Sequence, residues 1–129
     1  ELQRQINSLQ LVDKVKLCGR NNNIIDVYPQ YSLHLMTSRY EGLPMTLIEA
    51  QACGLSSVVF DYQYGASDIV SNGHNGLIIE QGNSKLFIEA AMKIMSSKEL
   101  RKEYGINALE IGKRYSKENI FKKWIKLIT

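Results

Sequence analysis

Cysteine, proline and an excess of charge of either sign are all scarce in this sequence, and each scarcity narrows what the protein can be. Two cysteines occur among the 129 residues, with no CxxC pair and no His or Asp at ligand spacing. Cys18 lies in an apolar, strand-like run and Cys53 in a helical pattern, so two reduced core thiols are expected. The two prolines are Pro29 and Pro44, and no repeat or low-complexity stretch interrupts the chain. Nothing marks an internal boundary, so residues 1–129 read as one domain or part of one. Sixteen Lys and Arg against 13 Asp and Glu leave a net charge of +3, spread along the chain, which is too mild for a nucleic-acid binder. No apolar run reaches the roughly 18 to 20 residues of a membrane span, and the polar start ELQRQIN has no signal-peptide core. A cytoplasmic protein is expected. No Asp-x-Asp occurs, and no metal site is expected.

What is present is an alternation of apolar patterns. Leu2, Ile6 and Leu9 fall at helical spacing, whereas Val15, Leu17 and Cys18 alternate as a strand does. Beyond Gly19 and the run Asn21-Asn22-Asn23 come a short apolar segment, Ile24 to Tyr28, and a buried strand, Leu33 to Met36. Gly42 and Pro44 then break the chain. Met45 to Cys53 is rich in helix formers, with Pro44 suited to the first helical position and Gly54 to a left-handed cap. Ser57 to Phe60 reads as a second strand. Gly65, a short helix from Ser67 to Val70 and a third strand, Leu77 to Ile79, complete a βαβαβ unit. Three helices follow, Leu86 to Met95, Lys98 to Arg114 and Lys117 to Ile128, the last with a weak start signal at Ser116 and Asn119. The class is α/β, a parallel sheet covered by helices on both faces. Ligands bind such sheets at the carboxyl ends of the strands. The turns to inspect are Gly19-Arg20, Ser38 to Pro44 and Asp61 to Ser67.

The turn SRYEGLP runs directly into a helix, so the amides of Met45, Thr46 and Leu47 should face the strand ends as an anion site. Glu41 precedes this helix and Glu49 lies within it. Glu49 stands about 7 Å along the axis from Pro44, and helical side chains lean toward the N-terminus, which returns its carboxylate toward a ligand. A carboxylate beside an anion site suits neutral hydroxyls, so the chemistry suggested is sugar plus phosphate. The spacing leaves a second reading open, with Glu41 a solvated loop residue and Glu49 a surface helix residue.

RYEGLPMTLIEAQACG, followed by SSVVFD, YGASDIV and NGHNGLII, resembles the group 1 (family four) glycosyltransferases over nearly the whole chain. The linked features are the Glu-seven-Glu spacing, the helix ending Ala-Cys-Gly, a Gly-containing turn and an Asn-Gly-x-Asn-Gly hairpin. The resemblance implies a three-layer parallel sheet of Rossmann-like topology, the C-terminal half of a GT-B enzyme. It also implies transfer of a sugar from a nucleotide donor with retention at the anomeric carbon. By position, Glu41 matches the glutamate that contacts the donor sugar close to the reacting centre, the catalytic assignment. Glu49 matches the one that holds the ribose. The backbone from Gly42 through Leu43, Pro44, Met45 and Thr46 to Leu47 would cradle diphosphate and sugar. Gly19 and Arg20 match the turn that meets the base, and Gly65 and Ala66 the next turn of the donor pocket.

Two departures accompany the resemblance. Ser57 stands where the family usually has Pro, and the family's upstream Arg and Lys, which neutralise the diphosphate, are absent. So are the first strands and the acceptor-binding domain. The chain therefore reads as a single partial domain, inactive alone, whose partners are a nucleotide-sugar donor and, through the absent domain, a glycan or lipid-linked acceptor. No cofactor is implied, since the donor is a substrate. The alternatives are a non-catalytic nucleotide-sugar-binding module, the donor subunit of a split glycosyltransferase, or a nucleotide-sugar epimerase whose base cannot be identified here.

His34 and His74 are expected to be structural and solvated respectively, and Asp68 to cap the helix near Ser67. Lys113, Arg114, Lys117, Lys122, Lys123 and Lys126 read as a solvated face, or as one turned to an anionic membrane. The resemblance makes Lys14 to Cys18 the third strand of a 3-2-1-4-5-6 sheet. Leu33 to Met36 then becomes an open edge that pairs with Lys14 to Cys18 or with a second chain, and self-association is expected.

Overall fold

A computed structural model of the chain describes residues 1–62 and 65–129. The elements in order are α1 (Leu2–Ser8), β1 (His34–Met36), α2 (Met45–Ala52), β2 (Ser57–Asp61), α3 (Ala66–Ile69), β3 (Gly76–Glu80), α4 (Ser84–Ser96), α5 (Lys98–Arg114) and α6 (Lys117–Ile128). The apolar segment from Ile24 forms two 3-10 turns, Ile24–Asp26 and Tyr28–Gln30.

The three strands form one parallel sheet in the order β1-β2-β3, with Leu35 opposite Val58 and Val58 opposite Leu77. The central strand shows why its sequence is almost continuously apolar. Val59 packs with Met36, Leu47, Ile48 and Ile69 on the face covered by α2 and α3, while Val58 and Phe60 pack with Phe87, Ala90 and Ile94 of α4 on the other. A strand covered on both faces has no polar side to present. The three-layer α/β arrangement read from the sequence is therefore the arrangement found.

Two close approaches set the position of α2. Gly54 ends it with φ +82, the left-handed conformation that the sequence assigned to it. Helix α5 runs against the same end: a Cβ on Gly105 would lie 2.5 Å from the Gly54 carbonyl oxygen, and one on Gly112 3.0 Å from the Ala52 Cβ. Glycine at both positions lets α5 hold the back of α2, leaving its N-terminus facing the ends of the strands. On the inner side, Gln51 and Asn75 are buried and paired, with Asn75 Nδ2 donating to Gln51 Oε1 at 2.8 Å and to the Ile69 carbonyl at 3.0 Å. Asn75 Oδ1 accepts from the Ser71 amide at 2.7 Å.

Several expectations are corrected here. Lys14 to Cys18 forms no strand, although Val15 and Leu17 alternate. A strand needs a ladder partner, and this segment faces β1 across a cavity of about 340 Å³ lined by Lys16 and Cys18 on one side and by Leu33, His34 and Leu35 on the other. Undocked, Cys18 is exposed rather than core, and Cys53 is only half-buried, its thiol 3.8 Å from the Ile25 carbonyl. The Asn-Gly-x-Asn-Gly segment is no hairpin, because β3 runs parallel to β2; it is the turn that delivers the chain into β3. Asp68 caps nothing: α3 starts at Gly65 without a side-chain cap, and the Asp68 carbonyl instead accepts from Arg114 at 2.8 Å. Ser116 does cap α6, accepting from the Asn119 amide at 3.3 Å, where the sequence signal was weak.

Candidate functional site at the strand ends

The loop between Met36 and α2 carries the candidate site, and α2 gives it direction. Pro44 is the N-cap, with φ −76 and ψ 85, rather than the first helical residue. Its carbonyl accepts from the Leu47 and Ile48 amides at 3.1 and 3.2 Å. The Leu47 amide is thus engaged within the helix, and Leu47 is wholly buried. Met45 and Thr46 are the two residues of this turn whose amides lie beyond the reach of any intrahelical acceptor. No side chain among the described residues caps the helix.

Three of the residues assigned from the sequence come together around this end. A Cβ added to Gly65 would sit 3.1 Å from the Gly42 carbonyl oxygen and 3.1 Å from Pro44 Cδ. Gly65 also has φ +94, a left-handed backbone that favours glycine. The turn after β2 is thus pressed onto the turn after β1, and Ala66, wholly buried, anchors it. The expected turn Asp61 to Ser67 is described except at Gln63 and Tyr64, which lie outside the described residues.

Glu41 and Glu49 are both partly exposed and face different neighbours. Burial pushes the Tyr62 hydroxyl up to about 12, and the Glu41 carboxylate adds to the effect. Tyr62 therefore stays protonated, with its hydroxyl 3.8 Å from the Met36 sulfur. On the other side of α2, burial raises the Tyr28 phenol, with Glu49 and then Cys53 contributing. The Tyr28 hydroxyl donates to the Thr46 carbonyl at 3.2 Å, tying the 3-10 turn to the first turn of α2. The Cys53 thiol is raised by burial, then by Glu49 and Asp26. Neither Tyr28 nor Tyr62 carries a motif in the sequence; the only signal available was an aromatic next to a predicted strand or turn.

Gly19 and Arg20 are exposed, with Gly19 at φ +65 and no atom within 4 Å of its would-be Cβ. Leu43 and Met45 are exposed on the rim. His34 is partly buried, its Nδ1 shielded without a hydrogen-bond partner and its ring edge-on to Tyr28 at 6.3 Å, in keeping with a packing role. His74 is exposed in its turn, where Asn107 Nδ2 donates to its carbonyl at 2.8 Å. No helix among the described residues is long and apolar enough to cross a membrane.

Comparison with known proteins agrees with this geometry. Residues 1–110 match the family described as glycosyl transferases group 1. The chain is 32% identical over 124 residues to the amylovoran biosynthesis glycosyltransferase AmsD of Erwinia amylovora, covering 96% of this chain and 35% of that protein. It is 30% identical to the poly(ribitol-phosphate) alpha-N-acetylglucosaminyltransferase of Staphylococcus aureus, over 98% of this chain and 26% of that one. The crystal structure of a mutant Staphylococcus aureus TarM with Fondaparinux, alpha-GlcNAc-glycerol and UDP superposes with a TM-score of 0.90 at 30% identity, covering 98% of this chain and 26% of TarM. The chain therefore spans about a third or less of these relatives. With the parallel sheet, its two covering layers and the match over residues 1–110, the chain belongs to the group 1 glycosyl transferases.

Proposed function

We propose that this chain is the donor-binding part of a retaining glycosyltransferase. The observation that carries the reading is the N-terminus of α2, uncapped by any side chain among the described residues, with Glu41 just before it and the Gly65–Gly42 contact beside it. In the reaction, the bond between the anomeric carbon and the diphosphate oxygen breaks and one to the acceptor hydroxyl oxygen forms. The acceptor's proton leaves with the diphosphate. The Met45 and Thr46 amides would stabilise charge developing on the diphosphate, without reorganisation at the moment of reaction. Glu41 would hold sugar hydroxyls, and Glu49 the ribose. Gly19 and Arg20 would meet the base, and Gly65 and Ala66 would close the donor pocket beside the Gly42 to Leu47 backbone.

A relative named for alpha-N-acetylglucosaminyl transfer and a neighbour solved with UDP support the donor class. The basic, aromatic-bearing α6, with Lys122, Lys123 and Lys126 beside exposed Phe121 and Trp124, suits peripheral contact with an anionic membrane where a lipid-linked acceptor would lie.

Saturation-transfer NMR with UDP-, GDP- and ADP-sugars tests the reading. Binding of one nucleotide class, with saturation strongest on ribose and sugar protons, is expected. Failure of every nucleotide sugar to bind would overturn it.

A further inference from the structure

Tyr28 reaches the backbone of the proposed donor site from 18 positions upstream. Its hydroxyl donates to the Thr46 carbonyl at 3.2 Å, and no other side chain among the described residues hydrogen-bonds to the backbone of residues 44–48. A carbonyl in the first turn of a helix is due one bond, from the amide four residues on, and has a second lone pair; Tyr28 fills that place. At the other end of the same peptide unit, the Leu47 amide is bonded to the Pro44 carbonyl at 3.1 Å. The peptide between Thr46 and Leu47 is therefore clamped at both ends, directly after the two amides assigned to the diphosphate.

The clamp matters because little else holds this turn. Helix ends fray, and α2 has eight residues and no side-chain cap. The Gly65 contact bears on Gly42 and Pro44, upstream of the clamped peptide. Tyr28 is itself fixed: it is 8% exposed, lies in a 3-10 turn with Pro29, and packs with Ala50 and Leu55. Burial raises its phenol, so the proton it donates stays in place. Free amides at a helix end grip an anion well only when they already point where its charge will lie. Releasing the Thr46 carbonyl lets the first turn loosen, and the Met45 and Thr46 amides are what move. The contacts assigned to base and ribose, at Gly19, Arg20 and Glu49, lie outside that turn.

We propose that Tyr28 is a positioning residue for the donor's diphosphate: without touching the ligand, its hydroxyl fixes the peptide between Thr46 and Leu47 and thereby the direction of the two amides before it. The proposal rests on the donor reading above and adds the residue that sets how tightly the phosphates are gripped.

The test is Tyr28→Phe in the longest natural form that contains these residues, which removes the hydroxyl and keeps the ring against Ala50 and Leu55. Parent and variant are titrated with UDP, GDP and ADP and with uridine, guanosine and adenosine, read by saturation-transfer NMR. The quantity compared is the gain in affinity from nucleoside to diphosphate. In the variant that gain is expected to fall about five-fold, the worth of one net hydrogen bond, with nucleoside affinity unchanged. Amide exchange followed by mass spectrometry is expected to quicken by a similar factor at Leu47 and Ile48 and to stay unchanged in β2. A variant that keeps the parent's gain, or the parent's exchange at Leu47 and Ile48, overturns the role of Tyr28. So does loss of nucleoside and diphosphate affinity by the same factor, because the hydroxyl then serves the fold alone. A parent that gains nothing from the diphosphate is a different failure, in which the donor reading falls and takes this role with it.

Discussion

Asn75 and Gln51, 24 positions apart and both buried, hold one another by their side-chain amides, Asn75 Nδ2 donating at 2.8 Å and Gln51 Nε2 returning a bond to the Asn75 carbonyl at 3.3 Å. The pair ties the inner face of α2 to the turn that enters β3. It explains why a polar residue occupies the inward position of a helix whose other buried residues are Leu47, Ile48 and Ala50. Replacing Asn75 by Ala leaves Gln51 Oε1, the Ser71 N–H and the Ile69 carbonyl without this partner, while Gln51 Nε2 keeps its bond to the backbone carbonyl of residue 75. A loss of about 1 to 3 kcal/mol for each group left unpaired is expected, partly relieved by relaxation. Urea unfolding of Asn75→Ala measures it, and a change below about 0.5 kcal/mol, the lower end of a single net hydrogen bond, would show the network to be dispensable.

Gly65→Ala should separate binding from stability. The added Cβ meets the Gly42 carbonyl and Pro44 at 3.1 Å, and φ +94 costs an L-residue on the order of 1 to 2 kcal/mol. The relief open to the chain is to push the Gly42 to Pro44 turn off the α2 N-terminus. Titration with UDP should show at least ten-fold weaker binding, with unfolding shifted by no more than the backbone cost.

Glu49→Ala and Glu41→Gln should fail in different ways. Ribose contacts are uniform across ground and transition states, whereas sugar contacts strengthen as the anomeric carbon reacts. Glu49→Ala is therefore expected to weaken nucleotide binding, and Glu41→Gln in the longer natural protein to lower kcat with nucleotide affinity nearly kept. Equal losses of binding and turnover in both would contradict the assigned roles.

His34 predicts a pH dependence of stability. Burial lowers its pKa, so the unfolded chain binds the proton more tightly than the folded one. Stability from this group is complete above the unfolded value of about 6.5 and is lost as pH falls below it. Urea midpoints between pH 8 and pH 5 should decline, and His34→Phe should flatten the upper part of that decline. An unchanged slope in the variant would remove His34 as the cause.

The open edge of β1 predicts association of the 129-residue chain. Leu35 is 50% exposed, and β1 has a ladder on one side only. Light scattering coupled to size exclusion should show species heavier than 14.7 kDa at micromolar concentration. A Leu35→Lys change should reduce them, since a charge blunts an exposed edge. A monomer throughout would mean the edge is protected by the neighbouring Lys16 to Cys18 segment.

Local patterns were enough for most elements. The apolar run of β2, the 3.6 period of α4 and α5, and Gly54 after Ala-Cys are each decided by neighbours within a few residues, because covering, periodicity and a left-handed cap write themselves into adjacent positions. The start of α2 just after Pro44 was likewise legible in the sequence, whereas the Glu41 to Glu49 spacing left two readings open. Lys14 to Cys18 is different. Its alternation is a strand pattern, but a strand exists only where another backbone completes its ladder, and none reaches it. Tertiary structure alone pressed Gly65 onto Gly42 and gathered Arg39, Asp61 and Gln81 around one cavity. Those residues come from three separate strand ends, and only the parallel register of the sheet brings the ends level.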